Sequence, residues 1–224
     1  MNDQPITYVK EDFPAMDFSA LFTNPLVKKL VRIFNIPLRR ITAVDQLEKC
    51  NLAIANDPTL ISAWQKWLNL FNIKGNILNN SLNNIPRSGN FIIVSNHPFG
   101  MLDGILLCAL VKQIRPDIKV MANQTLLSGH EIGNDIIGVD PYNHNQAKKI
   151  NSKPLREALD WLSQGSGLAV FPSGDVSRKD KHSKIILDPP WSPSVAKIIL
   201  KSKAPVVPLF FHGQNSRLFY LLTS

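Results

Sequence analysis

The chain has 224 residues, of which 44% are hydrophobic and 19% are charged. This composition excludes a disordered chain and is sufficient for one domain, or for one domain with a helical extension. The formal charge of +8 favours an anionic partner, and nucleic acid, anionic lipid headgroups and acidic cofactors are all compatible with it. Two cysteines, Cys50 and Cys108, are too few for a disulfide framework and lie among apolar neighbours, so we expect buried thiols in a reducing compartment.

Residues 1–71 are predicted to form an amphipathic helical extension that faces a membrane. Within it, a helix over 24–35 carries apolar residues at three- and four-residue spacing, with Lys28, Lys29 and Arg32 between them. A basic amphipathic helix of this kind can lie in the headgroup plane of a bilayer. It can equally pack its apolar stripe on the domain core, because helical patterning does not separate the two cases.

A second predicted helix covers residues 45–71 and ends in an apolar face that includes Trp64 and Trp67. Core packing is the commoner fate of such a face, and anchoring at a membrane interface is the alternative. The sequence shows no signal peptide, and no window approaches the roughly 20 apolar residues of a spanning helix. We therefore expect a protein that is cytosolic or lies on a membrane without crossing it.

Residues 72–224 are predicted to form an α/β domain with a mixed, mostly parallel sheet flanked by helices. Short runs of β-branched residues alternate here with helical stretches, as in sheets with crossover connections. The predicted strands are 91–95, 118–122, 136–139, 167–171 and 205–211, and the predicted helices are 103–114, 144–164 and 193–202. The segment 217–222 has the pattern of a further helix, so the domain is expected to be shortened at its C-terminus.

Several common catalytic motifs are absent from the sequence. There is no glycine-rich phosphate loop of the P-loop or dinucleotide-binding type, and no Gly-x-Ser-x-Gly nucleophile elbow. The five histidines lack metal-ligand spacing, so no metal site is predicted.

A histidine and an aspartate follow the first predicted strand. Ser95-Asn96-His97 leaves that strand and Asp103 opens the next helix, at the sheet edge where ligands usually bind. A histidine there can remove a proton from a hydroxyl, and a nearby carboxylate can orient the ring and stabilise the imidazolium. Taken alone, the pair favours a simpler interpretation, in which Asp103 caps the helix and loop backbone satisfies His97.

A second polar loop, residues 171–178, follows a later strand. Its sequence, Phe-Pro-Ser-Gly-Asp-Val-Ser-Arg, offers hydroxyls, a cation and, around Gly174, backbone N–H groups that could face an anion or a developing oxyanion. The alternative is a polar turn with solvated Arg178 and Lys179. A third segment, 204–213, is expected to be a core strand that ends at the same rim.

Together these segments resemble a known family. Asn-His-…-Asp after a strand, Phe-Pro-x-Gly after a later strand, and Pro-Val-Val-Pro with a following Gly resemble the glycerolipid acyltransferases, the lysophospholipid and glycerol-3-phosphate acyltransferases with an HX4D motif. The variants His-Pro-Phe-Gly-Met-Leu-Asp and Phe-Pro-Ser-Gly-Asp-Val-Ser-Arg are most similar to the hemolysin-like, lyso-ornithine-lipid acyltransferase branch. The resemblance covers roughly residues 72–216.

The resemblance implies an O-acyltransferase with His97 as general base and Asp103 as its orienting partner. A fatty acyl group would pass from acyl-carrier protein or acyl-CoA, as co-substrate rather than bound cofactor, to a hydroxyl of a lysophospholipid or lyso-ornithine lipid. The implied substrate-binding residues are Asn96, Gly100, Phe171, Pro172, Ser173, Gly174 and Arg178. Such a protein would be peripheral on the cytoplasmic face of an anionic membrane, with no transmembrane helix and no nucleic-acid partner.

The spacing of the pair departs from the common family pattern. Five residues separate His97 from Asp103 instead of four, and on a continuous helix the extra residue would rotate the carboxylate by about 100°. Pro98 and Gly100 predict a non-helical loop that absorbs the difference.

The second loop departs from the pattern as well. Ser173 stands where the common Phe-Pro-Glu-Gly-Thr-Arg has Glu, and the arginine appears only two places later, as Arg178. The loss or shift of expected cations favours an aminoacyl lyso-lipid over a phosphate-bearing acceptor, with Lys148, Lys149 and Arg178 as remaining candidates for an anionic headgroup.

Two other functional hypotheses remain open. One is a catalytically inactive membrane-binding module on the same fold, because an early chain end could leave the acyl tunnel without a helix. The other is a nucleic-acid-binding domain, which rests on the net charge alone and lacks interleaved aromatic residues. We rank the second last.

Overall fold

The computed structural model describes residues 62–70, 72–78, 81–124, 131–140, 152–180, 183 and 185–222. Its α-helices within these ranges are α1 Ala63–Leu70, α2 Met101–Val111, α3 Ser152–Ser163, α4 Pro193–Ser202 and α5 Arg217–Leu222. Its strands are β1 Phe91–Ser95, β2 Lys119–Asn123, β3 Ile136–Val139, β4 Gly167–Val170, β5 Arg178–Lys179, β6 Ile186–Leu187 and β7 Val206–Leu209. Short 3-10 helices cover Ser81–Asn84 and Glu131–Asp135.

Several sequence predictions lie outside these ranges. The helix over 24–35, the first part of the helix over 45–71, Cys50 and the pair Lys148 and Lys149 are not among the described residues. The helical extension and its boundary at residue 71 therefore stay predictions.

Five strands form one sheet in the order β3-β2-β4-β1-β7, and every pairing in it is parallel. Strands β5 and β6 form a separate antiparallel hairpin. Strands buried on both faces are expected to be continuous apolar runs, and all four residues of β4 and four of the five in β1 are buried. The α/β class predicted from alternating strands and helices is confirmed.

The crossover connections cover both faces of the sheet. The connection from β1 through α2 to β2 runs along the sheet in one direction, whereas those through α3 and α4, to β4 and β7, run in the other. Because such crossovers are right-handed, α2 lies on the face opposite α3 and α4. On the α3 and α4 face the core is a cluster of Ile92, Ile137, Ala158, Leu162, Leu168, Val170, Ile198 and Ala204.

The first helices also belong to the core. In α1, Trp64 and Trp67 are buried, and the Trp64 indole donates a hydrogen bond to Asp135 Oδ2 at 2.7 Å. Both tryptophans therefore pack in the core. In α2, Cys108 is fully buried, and burial raises the pKa of its thiol above the ordinary range. No helix of the described residues has the length and apolarity needed to span a bilayer.

One arginine joins the chain segments at the amino-terminal edge of the sheet. Arg115, which is 5% exposed, donates to the carbonyls of Pro86 and Gly165, each at 2.9 Å. It also binds both carboxylate oxygens of Asp117, at 2.9 and 2.7 Å, and its guanidinium lies over the Phe91 ring at 4.7 Å. The Arg115 hydrogen bond holds the pKa of Asp117 below its usual range. The end of the sheet opposite the candidate site is thus fixed by one buried cation.

Two local predictions need correction. Helix α2 begins at Met101, with Gly100 as its N-cap, so Asp103 lies in the first turn and does not cap the helix. The segment after residue 177 is not a simple polar turn, since it forms the β5–β6 hairpin. In each strand of this hairpin only two residues are paired. A strand of that length is too short to be recognised from hydrophobic alternation.

Candidate active site

The candidate site lies between the carboxyl ends of β1 and β4, which are neighbours in the sheet. The chain leaving β1 turns towards α2 on one face, and the chain leaving β4 turns towards α4 on the other. Connections that diverge from adjacent parallel strands open a crevice, and this is where open α/β sheets usually bind ligands. Both polar loops singled out in the sequence leave the sheet at this crevice.

His97 and Asp103 meet in the loop after β1. His97 Nδ1 lies 3.0 Å from Asp103 Oδ2, and the two side chains are 17% and 1% exposed. The contact is not aligned as a hydrogen bond, and catalytic hydrogen bonds commonly align only once the substrate is bound. Among the described residues no group pairs with Nε2 of His97, which leaves this nitrogen for a substrate proton.

The loop between the two residues absorbs the five-residue spacing as predicted. Gly100 has φ +69°, and a Cβ there would lie 2.9 Å from Val176 Cγ2, so both backbone conformation and space favour glycine. The turn brings the Phe99 N–H to Asp103 Oδ2 at 2.9 Å. The other oxygen, Oδ1, is buried and has no hydrogen-bond partner among the described residues. A buried carboxylate left partly unsatisfied is typical of functional sites rather than of structural ion pairs.

The loop after β4 supplies the wall of the site. The Phe171 ring stacks on the His97 ring, with 4.2 Å between centroids. Pro172 is buried, and its carbonyl accepts the N–H of Ser192 at 2.8 Å. Phe171 therefore touches the proposed base directly, while Pro172 anchors the loop to the segment before α4.

The tip of this loop is used for its own turn. The Gly174 N–H donates to the Phe171 carbonyl at 3.0 Å, and the Ser173 hydroxyl donates to the Asp175 carbonyl at 2.8 Å. The Gly174 amide is thus engaged internally and does not face the crevice as an oxyanion donor. Arg178 is half exposed and pairs with Asp175 at 2.6 Å, so the cation lies on the loop surface.

The Asn96 side chain bonds to the backbone that follows β7. Its Nδ2 donates to the Phe211 carbonyl at 3.0 Å, and its Oδ1 accepts the Phe211 N–H at 2.7 Å. These bonds continue the pairing of β1 with β7 past the last paired residue. Both ends of the amide therefore hold the rim of the site together, and substrate binding by Asn96 stays a prediction.

Residues 69–224 match the sequence model of a protein family described as acyltransferase. The chain belongs to this acyltransferase family. Two curated relatives are named lyso-glycine lipid O-acyltransferase. The one from Phocaeicola vulgatus is 28% identical over 144 residues, which are 64% of this chain and 49% of the relative. The one from Bacteroides thetaiotaomicron is 27% identical over 144 residues, which are 64% of this chain and 50% of the relative. The chain spans about half the length of the curated relatives it matches.

The predicted site residues fall into two groups. His97, Asp103, Gly100 and Phe171 lie together at the crevice, in direct contact or in the loop that joins them. The second group surrounds the crevice, and its hydrogen bonds go to other groups of the loops: Asn96, Pro172, Ser173, Gly174 and Arg178. Their roles towards substrate stay predictions. No cluster of His, Cys, Asp or Glu suited to a metal occurs in the part of the chain that the structure describes.

One carboxylate of the candidate site was missed in the sequence. Asp188, directly after β6, accepts the His97 N–H at 3.2 Å, and the Ser177 hydroxyl donates to the same oxygen. Asp188 lies 91 positions after His97, so no local pattern joins them. Its position between an apolar pair and Pro189-Pro190 marks a structured turn, but it indicates no partner.

Proposed function

We propose that the chain is an O-acyltransferase that moves a fatty acyl group from a thioester to the hydroxyl of a lyso-lipid. One observation carries the proposal: Nδ1 of His97 lies 3.0 Å from a buried oxygen of Asp103, at the crevice between β1 and β4. A partly exposed imidazole backed by a buried carboxylate is an arrangement suited to general-base catalysis. Membership of the acyltransferase family supports the same reaction class.

In the proposed mechanism, His97 removes the proton from the acceptor hydroxyl through Nε2. The hydroxyl oxygen attacks the thioester carbonyl carbon, and an oxyester bond forms as the carbon–sulfur bond breaks. The thiolate leaves and takes the proton back from the imidazolium. Asp103 holds Nδ1 protonated and stabilises the positive charge while it exists. No acyl-enzyme is needed, and the buried thiol of Cys108, with its raised pKa, is unsuited to forming one.

The donor is proposed to be acyl-carrier protein or acyl-CoA. Both present the same thioester to His97 and differ only in the carrier attached to it. The net charge of +8 suits either, because each carrier is acidic.

The acceptor is proposed to be an aminoacyl lyso-lipid rather than a phosphate-bearing one. Arg178 pairs with Asp175 at 2.6 Å instead of standing alone at the crevice. A clamp of free cations, which a phosphate ester would favour, is thus not seen around His97 in the described residues. Two relatives carry the name lyso-glycine lipid O-acyltransferase, which supports this acceptor class.

The protein is proposed to work on the cytoplasmic surface of an anionic membrane. The β5–β6 hairpin and the turn after it expose Ile185, Leu187 and Trp191, at 58%, 53% and 53%. Arg178 and Lys179 are exposed on the same hairpin. Aliphatic, aromatic and basic side chains in one small projection suit the interface of an anionic bilayer. This projection adjoins His97, so a lipid acceptor would be close to the base.

A purified His97→Ala protein tests the proposal. Turnover of acyl-CoA or acyl-carrier-protein thioester with a lyso-glycine lipid is expected to fall at least about a hundredfold, because the base is lost. His97→Gln fills the same space without a base and should be equally impaired. Lys197→Ala, on the exposed surface of α4, serves as the matched control and should keep normal turnover. All variants should show the parent's circular dichroism and melting temperature.

Two outcomes would count against the proposal. Near-normal turnover in His97→Ala would refute the assigned base. Vesicle binding by the parent protein without thioester consumption, with both phosphate and aminoacyl acceptors, would favour the inactive membrane-binding module instead.

A further inference from the structure

The backbone N–H and carbonyl of His97 are both hydrogen-bonded to the end of the β5–β6 hairpin where β5 begins and β6 ends. The His97 N–H donates to Asp188 Oδ1 at 3.2 Å, and the His97 carbonyl accepts the N–H of Ser177 at 2.9 Å. Ser177 directly precedes β5 and Asp188 directly follows β6. The register of the hairpin, Arg178 opposite Leu187, sets these two residues opposite each other. His97 is therefore held where the two strands of the hairpin meet.

Asp188 holds this end of the hairpin together through three hydrogen bonds. Its Oδ1 accepts from the His97 N–H and from the Ser177 hydroxyl, and its Oδ2 accepts from the Trp191 indole at 3.2 Å. No Lys or Arg of the described residues pairs with it. Three donors that converge on one carboxylate give it a defined orientation, so Asp188 is an organising group rather than half of a surface ion pair.

The segment after β6 also reaches the second loop of the site. Four residues beyond Asp188, the Ser192 N–H donates to the Pro172 carbonyl at 2.8 Å, and Pro172 follows the Phe171 ring that stacks on His97. One short segment thus binds the loops that leave β1 and β4. It fixes the distance between the imidazole and the aromatic ring beside it.

We propose that Asp188 is a positioning residue for acyl transfer: it sets the location of the His97 imidazole by holding its backbone N–H. This inference rests on the proposed function of His97 as the base. Asp103 and Phe171 contact the ring, whereas Asp188 and Ser177 fix the backbone from which the ring extends. Displacement of a catalytic group by about 1 Å can reduce a rate by roughly a hundredfold. Loss of Asp188 would allow such a displacement.

The test compares Asp188→Ala with Asp188→Asn in steady-state kinetics on the full chain. Alanine removes both acceptor oxygens and so all three hydrogen bonds, and kcat is expected to fall about 30- to 100-fold, while KM for the lyso-lipid changes less than about threefold. Asparagine keeps an oxygen for the two donors that converge on Oδ1 and loses only the acceptor for Trp191. It should therefore restore kcat to within about fivefold of the parent. Trp191→Phe removes the same third bond from the other side and should match Asp188→Asn.

Each result separates this inference from the proposed function. An inactive His97→Ala protein together with a normal Asp188→Ala protein would overturn the positioning inference and leave the proposed base intact. Active His97→Ala would overturn both. A higher KM with normal kcat in Asp188→Ala would overturn the inference, since it would make Asp188 a substrate contact. So would equal losses in the Ala and Asn variants, or a kcat loss that simply follows the fraction of unfolded protein in a melting curve.

Discussion

At the scale of single residues, the site depends on a glycine that lets a loop side chain and a helix side chain meet. His97 is on a loop and Asp103 is in the first helical turn, with five residues between them. Gly100, with φ +69°, makes the turn that places their side chains 3.0 Å apart. The carboxylate is buried with one oxygen unpaired among the described residues. A buried carboxylate with an unpaired oxygen lowers the stability of the folded state. Its presence is explained if its charge stabilises the imidazolium.

Asp103→Asn tests that interpretation. Because the amide cannot compensate an imidazolium, kcat is expected to fall about a hundredfold or more. Stability should change by less than about 1 kcal/mol, since the substitution removes a buried charge of which one oxygen has no donor. Steady-state kinetics and urea unfolding measure the two quantities. Asp160→Asn, on α3 and exposed, is the control. A normal kcat, or equal losses in both variants, would contradict the assigned function of Asp103.

At the scale of elements, the two ends of the sheet have different tasks. The carboxyl end carries the loops and the hairpin that surround His97. The amino end is joined by Arg115, which bonds the segment before β1, the turn before β4 and Asp117 before β2. Substitutions at the second end should therefore alter stability and leave the chemistry intact.

Arg115→Ala is expected to lower the free energy of unfolding by about 2–4 kcal/mol, because it removes a buried cation that binds Asp117 and leaves two partly buried carbonyl acceptors unpaired. The pKa of Asp117 is lowered in the folded state by Arg115. The Arg115–Asp117 pair therefore stabilises the folded state at pH values above the pKa that Asp117 has in the unfolded chain. This contribution is lost as the pH falls through the lower pKa that Asp117 has in the folded state. Urea unfolding at several pH values should show the gap to the parent narrowing on acidification. Arg178→Ala removes an exposed pair and should cost less than about 1 kcal/mol. An equal loss in both variants would contradict the structural role of Arg115.

At the scale of the whole molecule, charge and exposed apolar surface have to be considered together. A charge of +8 alone fits several anionic partners. The hairpin beside the site exposes Ile185 and Leu187 among basic residues, and a bilayer provides both an apolar interior and anionic headgroups. A membrane surface accounts for both features, whereas an acidic soluble partner accounts for the charge only.

The double variant Ile185→Ser/Leu187→Ser is expected to weaken binding to phosphatidylglycerol-containing vesicles about tenfold or more, since two half-exposed aliphatic side chains lose apolar burial. Turnover of a short-chain, water-soluble acceptor should stay normal, because the hydrogen bonds that hold the His97 backbone come from Ser177 and Asp188. Vesicle cosedimentation and that assay measure the two effects. Leu200→Ser is the control, since Leu200 on α4 is 75% exposed but lies outside the hairpin. Unchanged vesicle binding by the double variant would contradict the hairpin's part in docking.

Local patterns were sufficient for most of the fold. The strands over 91–95 and 136–139 and the helix over 193–202 are confirmed at their predicted bounds, because buried β-branched runs and a Ser192-Pro193 helix start are strong local signals. The helix after β1 begins two residues earlier than predicted, since the capping position belongs to Gly100 and not to the more usual aspartate.

The residues proposed to react were recognisable from the chain because they lie close together in it. His97, Gly100 and Asp103 fall within seven positions, and their residue types already indicate a base, a turn and a carboxylate. Asp188 has no such neighbours, and its three hydrogen bonds exist only after the hairpin folds back on the loop that leaves β1. Hydrophobic periodicity and turn residues indicate structure over a few positions only. A contact between residues 91 positions apart depends on where the folded sheet places each segment. The proposed base and its carboxylate could therefore be anticipated from the sequence, and the proposed positioning residue could be recognised only in the folded chain.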